Sequence, residues 1–251
     1  MIEYNISASS TVGCVRDNNE DMLLVGNQFI RDDAKEMKVS FALDDRYLLA
    51  LADGMGGHNR GEVASSDTLH NLQFFFNDLP SGLNISDFNE SIYEWLSSMN
   101  NILESKGRSD AQYVNMGTTL VSLVYYGHEF FWMNCGDSRL YRLRNGELKQ
   151  LTIDHSLSNM LGQHAHSHII TNCIGGGCKT SFIDIVDFTD DVAEGDTFML
   201  CSDGLTDMLS DTDIENMLNA GVNASALCEA AERAGGLDNV SVILVNIVSI
   251  N

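Results

Sequence analysis

Five acidic positions stand where an apolar stretch gives way to a turn. Asp53-Gly54 follows the continuous run Tyr47–Ala52, and Asp203-Gly204 follows Phe198–Ser202. Asp137 sits within Asn134-Cys135-Gly136-Asp137-Ser138-Arg139 between two β-type segments, Asp238-Asn239 precedes the last one, and Glu20-Asp21 opens an early one. Strand ends hold side chains rigidly, so several of them can meet at one point. Carboxylates gathered in this way repel one another unless cations neutralise them. An all-oxygen set of this kind suits hard ions such as Mg²⁺, Mn²⁺ or Ca²⁺. Any single Asp-Gly pair is an ordinary turn, and Glu20-Asp21 alone would be a solvated pair. The argument rests on their number and on the apolar run beside each.

The elements that must position them follow from periodicity. Residues 2–12 and 20–27 read as strands around a turn at Arg16-Asp17-Asn18, and 47–52 as a strand buried on both faces. Helical spacing appears over 60–77 and 86–105, the latter with Phe88, Ile92, Trp95 and Leu96 on one face. Strands are expected at 118–126, 129–135 and 139–144, then at 147–151 after the hairpin signal Asn145-Gly146. Further strands are expected at 181–188, 197–201 and 240–248. A helix should begin after a Ser210 cap with Asp213 three residues on, and another should cover 223–234. This succession predicts a layered α/β (α+β) protein.

Composition narrows the function. The 251 residues carry 36 Asp and Glu against 14 Lys and Arg, a net charge of −22. Nucleic acid and anionic membranes attract cationic surfaces, so neither is expected as the main partner. A single proline, no low-complexity run and no repeat point to one domain over 1–251. The N-terminus lacks the basic and apolar regions of a signal peptide, and no apolar run approaches the roughly 20 residues of a membrane span. Six cysteines without a CxxC pair are expected to be reduced thiols in the cytoplasm.

Seven segments then carry a resemblance. In order they are Arg16-Asp17-Asn18-Asn19-Glu20-Asp21, Ala52-Asp53-Gly54-Met55-Gly56-Gly57-His58, Met116-Gly117-Thr118-Thr119, Asn134–Arg139, Asp154-His155-Ser156, Ser202-Asp203-Gly204-Leu205-Thr206-Asp207 and Asp238-Asn239-Val240-Ser241. Their order and content resemble the PPM family of metal-dependent (type 2C) serine/threonine protein phosphatases, in its bacterial form. The resemblance implies two central, mostly antiparallel β-sheets packed face to face and flanked by helices, an α-β-β-α sandwich. It implies two core Mn²⁺ or Mg²⁺ ions bridged by Asp53, one also held by Asp203 and Asp238, the other by Glu20 and the carbonyl of Gly54. Asp21 would orient metal-bound water, and Asp137, Asp203 and Asp207 match a weaker third-ion site. Arg16 resembles the residue that grips substrate phosphate. A water bridging the two ions would attack phosphoserine or phosphothreonine in proteins, the substrates of a cognate Ser/Thr kinase.

Two features depart from the family. Met55 stands where eukaryotic members usually carry a histidine, so the leaving-group proton must come from elsewhere; His58 is a weak substitute. The flap segment near 156–172 is short and contains His164, His166 and His168, an alternation that could place imidazoles on one face for Zn²⁺ or Ni²⁺, although an exposed loop is the simpler reading. Gly175-Gly176-Gly177-Cys178-Lys179-Thr180 is not a P-loop, because Cys173 and Cys178 replace its defining glycines; it reads as a tight turn. The alternatives to a protein phosphatase are a phosphatase-fold binding module and a hydrolase of small phosphoesters.

Overall fold

The computed structural model describes residues 1–56, 60–161, 169–178 and 180–250. The chain begins with strands β1 (Ile2–Thr11), β2 (Met22–Val25), β3 (Gln28–Ile30), β4 (Ala34–Phe41), β5 (Tyr47–Ala52) and β6 (Gly54–Met55). Helices α1 (Gly61–Asp78) and α2 (Ile85–Ser109) follow. Next come β7 (Gly117–Thr118), β8 (Leu120–Tyr126), β9 (Glu129–Cys135), β10 (Arg139–Arg144) and β11 (Glu147–Gln150). The remainder is α3 (Leu157–Leu161), β12 (Ile174–Gly175), β13 (Asp184–Asp187), β14 (Thr197–Cys201), α4 (Asp203–Thr206), α5 (Asp211–Asn219), α6 (Ala224–Arg233) and β15 (Val240–Ile250).

The long strands form two antiparallel sheets, ordered β11-β10-β14-β15-β1-β4 and β13-β9-β8-β5-β2-β3. Their facing sides share one core, with Tyr4, Ile6, Leu23, Leu49, Leu51, Leu123, Phe198 and Ile243 among its members. The other face of the second sheet (Leu24, Ala50, Val124) packs on Leu69 and Phe76 of α1 and on Phe88 and Trp95 of α2. The outer face of the first sheet (Met199, Val242) packs on Ile214 of α5 and Leu227 of α6. These layers are the expected α-β-β-α sandwich. β5 is apolar throughout because both its faces lie inside, one in each core. No described helix is long and apolar enough to cross a membrane.

Local signals held where the determinants are local. Asn145 and Gly146 have φ of 53° and 84°, as a type I′ turn requires, and Arg144 pairs with Glu147 across it. Ser210 and Asp213 form a reciprocal capping box at α5. Several boundaries moved. The second strand starts at Met22 rather than residue 20, leaving Glu20-Asp21 in the approach loop, and the segment expected at 181–188 pairs only over Asp184–Asp187. β4 carries no sequence expectation. It is an edge strand on β1 in which Met37, Val39 and Phe41 alternate with exposed Glu36, Lys38 and Ser40, a short pattern that Lys35 cuts off at its start. The segment expected as one strand over 118–126 is split at Thr119. The same break occurs between β5 and β6 at Asp53, and the two breaks lie side by side.

Candidate active site

The paired break is what presents Asp53. Its N–H donates to Thr119 Oγ1 at 3.0 Å, and its carbonyl accepts from the Thr119 N–H at 2.9 Å and from Thr118 Oγ1 at 2.8 Å. With the backbone held on both sides, the chain turns from β5 into the small sheet β12-β7-β6. Gly54 must be glycine here, since a Cβ would collide with the carbonyl oxygens of Gly61 and Glu20. Its N–H donates to the Glu20 carbonyl at 3.1 Å, which Ser65 Oγ also holds at 2.5 Å.

The approach loop is tied to the far end of the chain. Asn239 accepts the Glu20 N–H on Oδ1 at 2.8 Å and donates through Nδ2 to the carbonyls of Val12 (3.0 Å) and Asn18 (2.9 Å). Asn19 donates to Ser10 Oγ and to Asp32 Oδ1. Asp21 is wholly buried, and its Oδ2 accepts from Ser202 Oγ at 2.8 Å. Sequence reasoning assigned no role to Asn239, Thr118, Thr119 or Ser202. Their presence inside recurring motifs was the one signal available.

The carboxylates sense one another. Burial, then Asp21, Asp203, Asp137 and Asp238, hold the Asp53 carboxyl well above the usual carboxylate range. Burial, opposed by hydrogen bonds from Ser241 and Ser202 and reinforced by Asp203 and Asp238, pushes Asp21 up to about 7. Burial, then Asp203 and Asp154, raises Asp137 to about 7 as well. Glu20 is raised by burial and by Glu62, against the N–H of Gly61. Asp53, Asp21, Asp137, Asp203 and Asp238 thus belong to one electrostatic cluster, with Glu20 at its rim beside Gly54. Asp207 lies exposed just beyond α4, its N–H on the Asp203 carbonyl.

Arg16 is turned onto this cluster. Its Nη2 donates to Asp238 Oδ2 at 2.6 Å in a half-exposed pair, and Glu20 and Asp203 add to the field that raises its pKa behind that bond. Among the described residues no group of three or more His, Cys, Asp or Glu side chains is drawn tightly enough to hold an ion by itself. Asp238 is engaged by Arg16 and Asp21 by Ser202. The donors still fit a hard cation. All are oxygens, and Asp21 Oδ1 and Asp137 Oδ1 are buried with no hydrogen-bond partner. Both lie in a field that positive charge would relieve. His58, His164, His166 and His168 lie outside the described residues. Met55 is on β6, opposite Gly117.

The protein phosphatase 2C family pattern matches residues 25–235. The protein phosphatase PhpP of Streptococcus pneumoniae is 32% identical over 257 residues, covering 96% of both chains. The serine/threonine protein phosphatase PstP of Mycobacterium tuberculosis is 32% identical over 252 residues, but this chain spans only 45% of its length. Among solved structures, the Streptococcus agalactiae serine/threonine phosphatase superposes with a TM-score of 0.80 at 30% identity, covering 98% of this chain and 100% of that one. The PstP catalytic domain in complex with two manganese ions gives 0.76 at 31%, covering 99% and 100%. With a family pattern spanning most of the sequence and full-length relatives of the same fold, the chain belongs to the protein phosphatase 2C family.

Proposed function

We propose that this protein is a metal-dependent protein serine/threonine phosphatase, and that residues 1–251 form one such domain with a shortened flap near 156–172. The observation that carries the reading is the buried carboxylate cluster centred on Asp53, with open oxygens on Asp21 and Asp137. Two Mn²⁺ or Mg²⁺ ions would be held by Asp53 between them, by Asp203 and Asp238 on one side, and by Glu20 and the Gly54 carbonyl on the other. A weaker third ion would fall to Asp137, Asp203 and Asp207. When bound, such cations activate water and offset the charge of the phosphoryl oxygens.

The remaining work falls to the chain itself. Asp21, pinned by Ser202, supplies the acceptor that orients the attacking water. Arg16 exchanges its exposed hold on Asp238 for a forked pair of hydrogen bonds to the substrate phosphate. An exposed ion pair is weak enough for that exchange. Met55 has no proton to give the leaving group, so that proton comes from solvent. The substrates are phosphoproteins made by a Ser/Thr kinase, and the site of signalling is the cytoplasm; the six free cysteines support this compartment.

Hydrolysis of an aryl phosphate in excess chelator, then with Mn²⁺ or Mg²⁺ restored, tests the metal requirement. Activity should vanish and return with either ion, and a phosphopeptide should be turned over faster than a nucleotide. Full activity in verified metal-free protein sinks the reading; faster nucleotide hydrolysis would favour the small-phosphoester alternative.

Arg16→Ala should raise KM for a phosphopeptide by about tenfold or more while leaving kcat within a few-fold, because it removes phosphate binding and spares the carboxylates. An unaltered KM in steady-state kinetics would remove Arg16 from the phosphate site.

A further inference from the structure

The glycine-rich turn excluded as a P-loop brings two sulfurs together. Gly175, Gly176 and Gly177 all have left-handed φ (73°, 62° and 76°), a run that residues with a Cβ adopt only under strain. The coil closes with the Cys178 N–H on the Gly175 carbonyl at 3.0 Å, and the Gly176 N–H is held by the Met116 carbonyl at 2.9 Å. As a result Cys173 Sγ and Cys178 Sγ lie 3.2 Å apart. A disulfide needs about 2.05 Å, so a closure of roughly 1 Å within one short loop suffices.

The two thiols differ in access. Cys173 is 4% exposed, whereas Cys178 is half-buried and lines a cavity of about 700 Å³ between α2 and the 175–182 segment. The other cysteines do not compete. Cys135 is fully buried with Asn172 Nδ2 on its sulfur, Cys201 and Cys228 belong to the α5–α6 core, and Cys14 lies exposed in the loop after β1.

We propose that Cys173 and Cys178 form a reversible oxidation site, at which a peroxide closes a disulfide across the Ile174–Gly177 turn. The Cys178 sulfur attacks the peroxide O–O bond, giving a sulfenic acid and one water. The Cys173 sulfur then attacks the Cys178 sulfur, its proton leaves with the hydroxyl as a second water, and the S–S bond forms. The two sulfurs lose two electrons and the peroxide gains them. Burial and the neighbouring sulfur hold the Cys173 thiol well above its ordinary pKa, which leaves the first attack to the accessible Cys178. The bond would tie together the two ends of the segment that carries β12, and β7 alone separates β12 from β6 and Gly54.

The test uses the whole protein and hydrogen peroxide, read by intact mass and peptide mapping without reductant. The expected result is a loss of two hydrogens, about 2 Da, and of two alkylatable thiols out of six, with a cross-link between residues 173 and 178 that dithiothreitol reverses. Cys178→Ser should abolish the mass change. Cys173→Ser should instead accumulate a sulfenic acid at Cys178 that a cyclic dione traps; Cys173→Ala replaces it if the serine variant melts early. A cross-link to another cysteine, over-oxidation of Cys178 with no cross-link, or an unoxidised parent overturns the proposal.

Discussion

Asp53→Asn should lower kcat by at least about a thousandfold while leaving the metal-free protein as stable as the parent or more so. On the proposed reading the amide removes the charge that would hold both cations, and losses of this size are typical when a central ligand is removed from a unit that acts together. The stability arm follows from the same residue. Asp53 is raised by burial and by four neighbouring carboxylates, so ionised Asp53 is repelled in the folded state. A neutral amide removes that repulsion, and its N–H and C=O backbone anchors on Thr118 and Thr119 are untouched. Folding damage would lower activity and melting temperature together; the expected pattern lowers only activity. Measurement of kcat in Mn²⁺ and of Tm in chelator, on one preparation, separates the two. A variant retaining near-normal kcat would remove Asp53 from the bridging position.

The second large effect is an inverted pH dependence of stability. Asp21 is held near pH 7 in the folded state, well above the range of an exposed carboxylate. Between those values the folded chain binds more protons than the unfolded one, so stability falls as pH rises. Acidifying metal-free protein from about pH 7.5 to 5.5 should therefore stabilise it, with Asp21 alone contributing about 2 kcal/mol. Asp137 and Asp53 act in the same direction. Saturating Mn²⁺ should reverse the trend, because it binds the deprotonated carboxylates and its stabilisation grows with pH. The net charge of −22 also favours the acid side, so Asp21→Asn is the control that isolates the cluster. That variant should show a visibly shallower slope of Tm against pH in chelator. An equal slope in both proteins would mean that Asp21 is not the titrating group.

Much of the candidate site was legible because its signals are local. A carboxylate at the end of a doubly buried strand, as at Asp53 and Asp203, is visible as an apolar run stopped by Asp-Gly. The Asn145-Gly146 hairpin and the Ser210–Asp213 box depend on adjacent backbone angles and on a contact three residues away. Such features need no knowledge of the rest of the chain. The motif order extended them to a family, and with it to a sandwich of two sheets.

What tertiary structure decided depends on partners far apart in sequence. β4 gains its full length because β1 offers it a ladder from Ile2 to Ser9; on its own it carries only the short alternation of Met37, Val39 and Phe41, preceded by the charged Lys35 and Glu36. The split at Thr119 arises because Asp53 captures that residue's N–H and hydroxyl from another strand. Asn239 holding Glu20, and Ser202 holding Asp21, each join segments about 180 residues or more apart. Composition and periodicity place a carboxylate at a strand end, but which oxygen stays open, and which is met by a hydroxyl or an arginine, is set by the packing of two sheets. The sulfur pair shows the same division. The glycines that allow the turn are written in the sequence, while the meeting of Cys173 with Cys178 follows from their left-handed coil and its anchor on Met116.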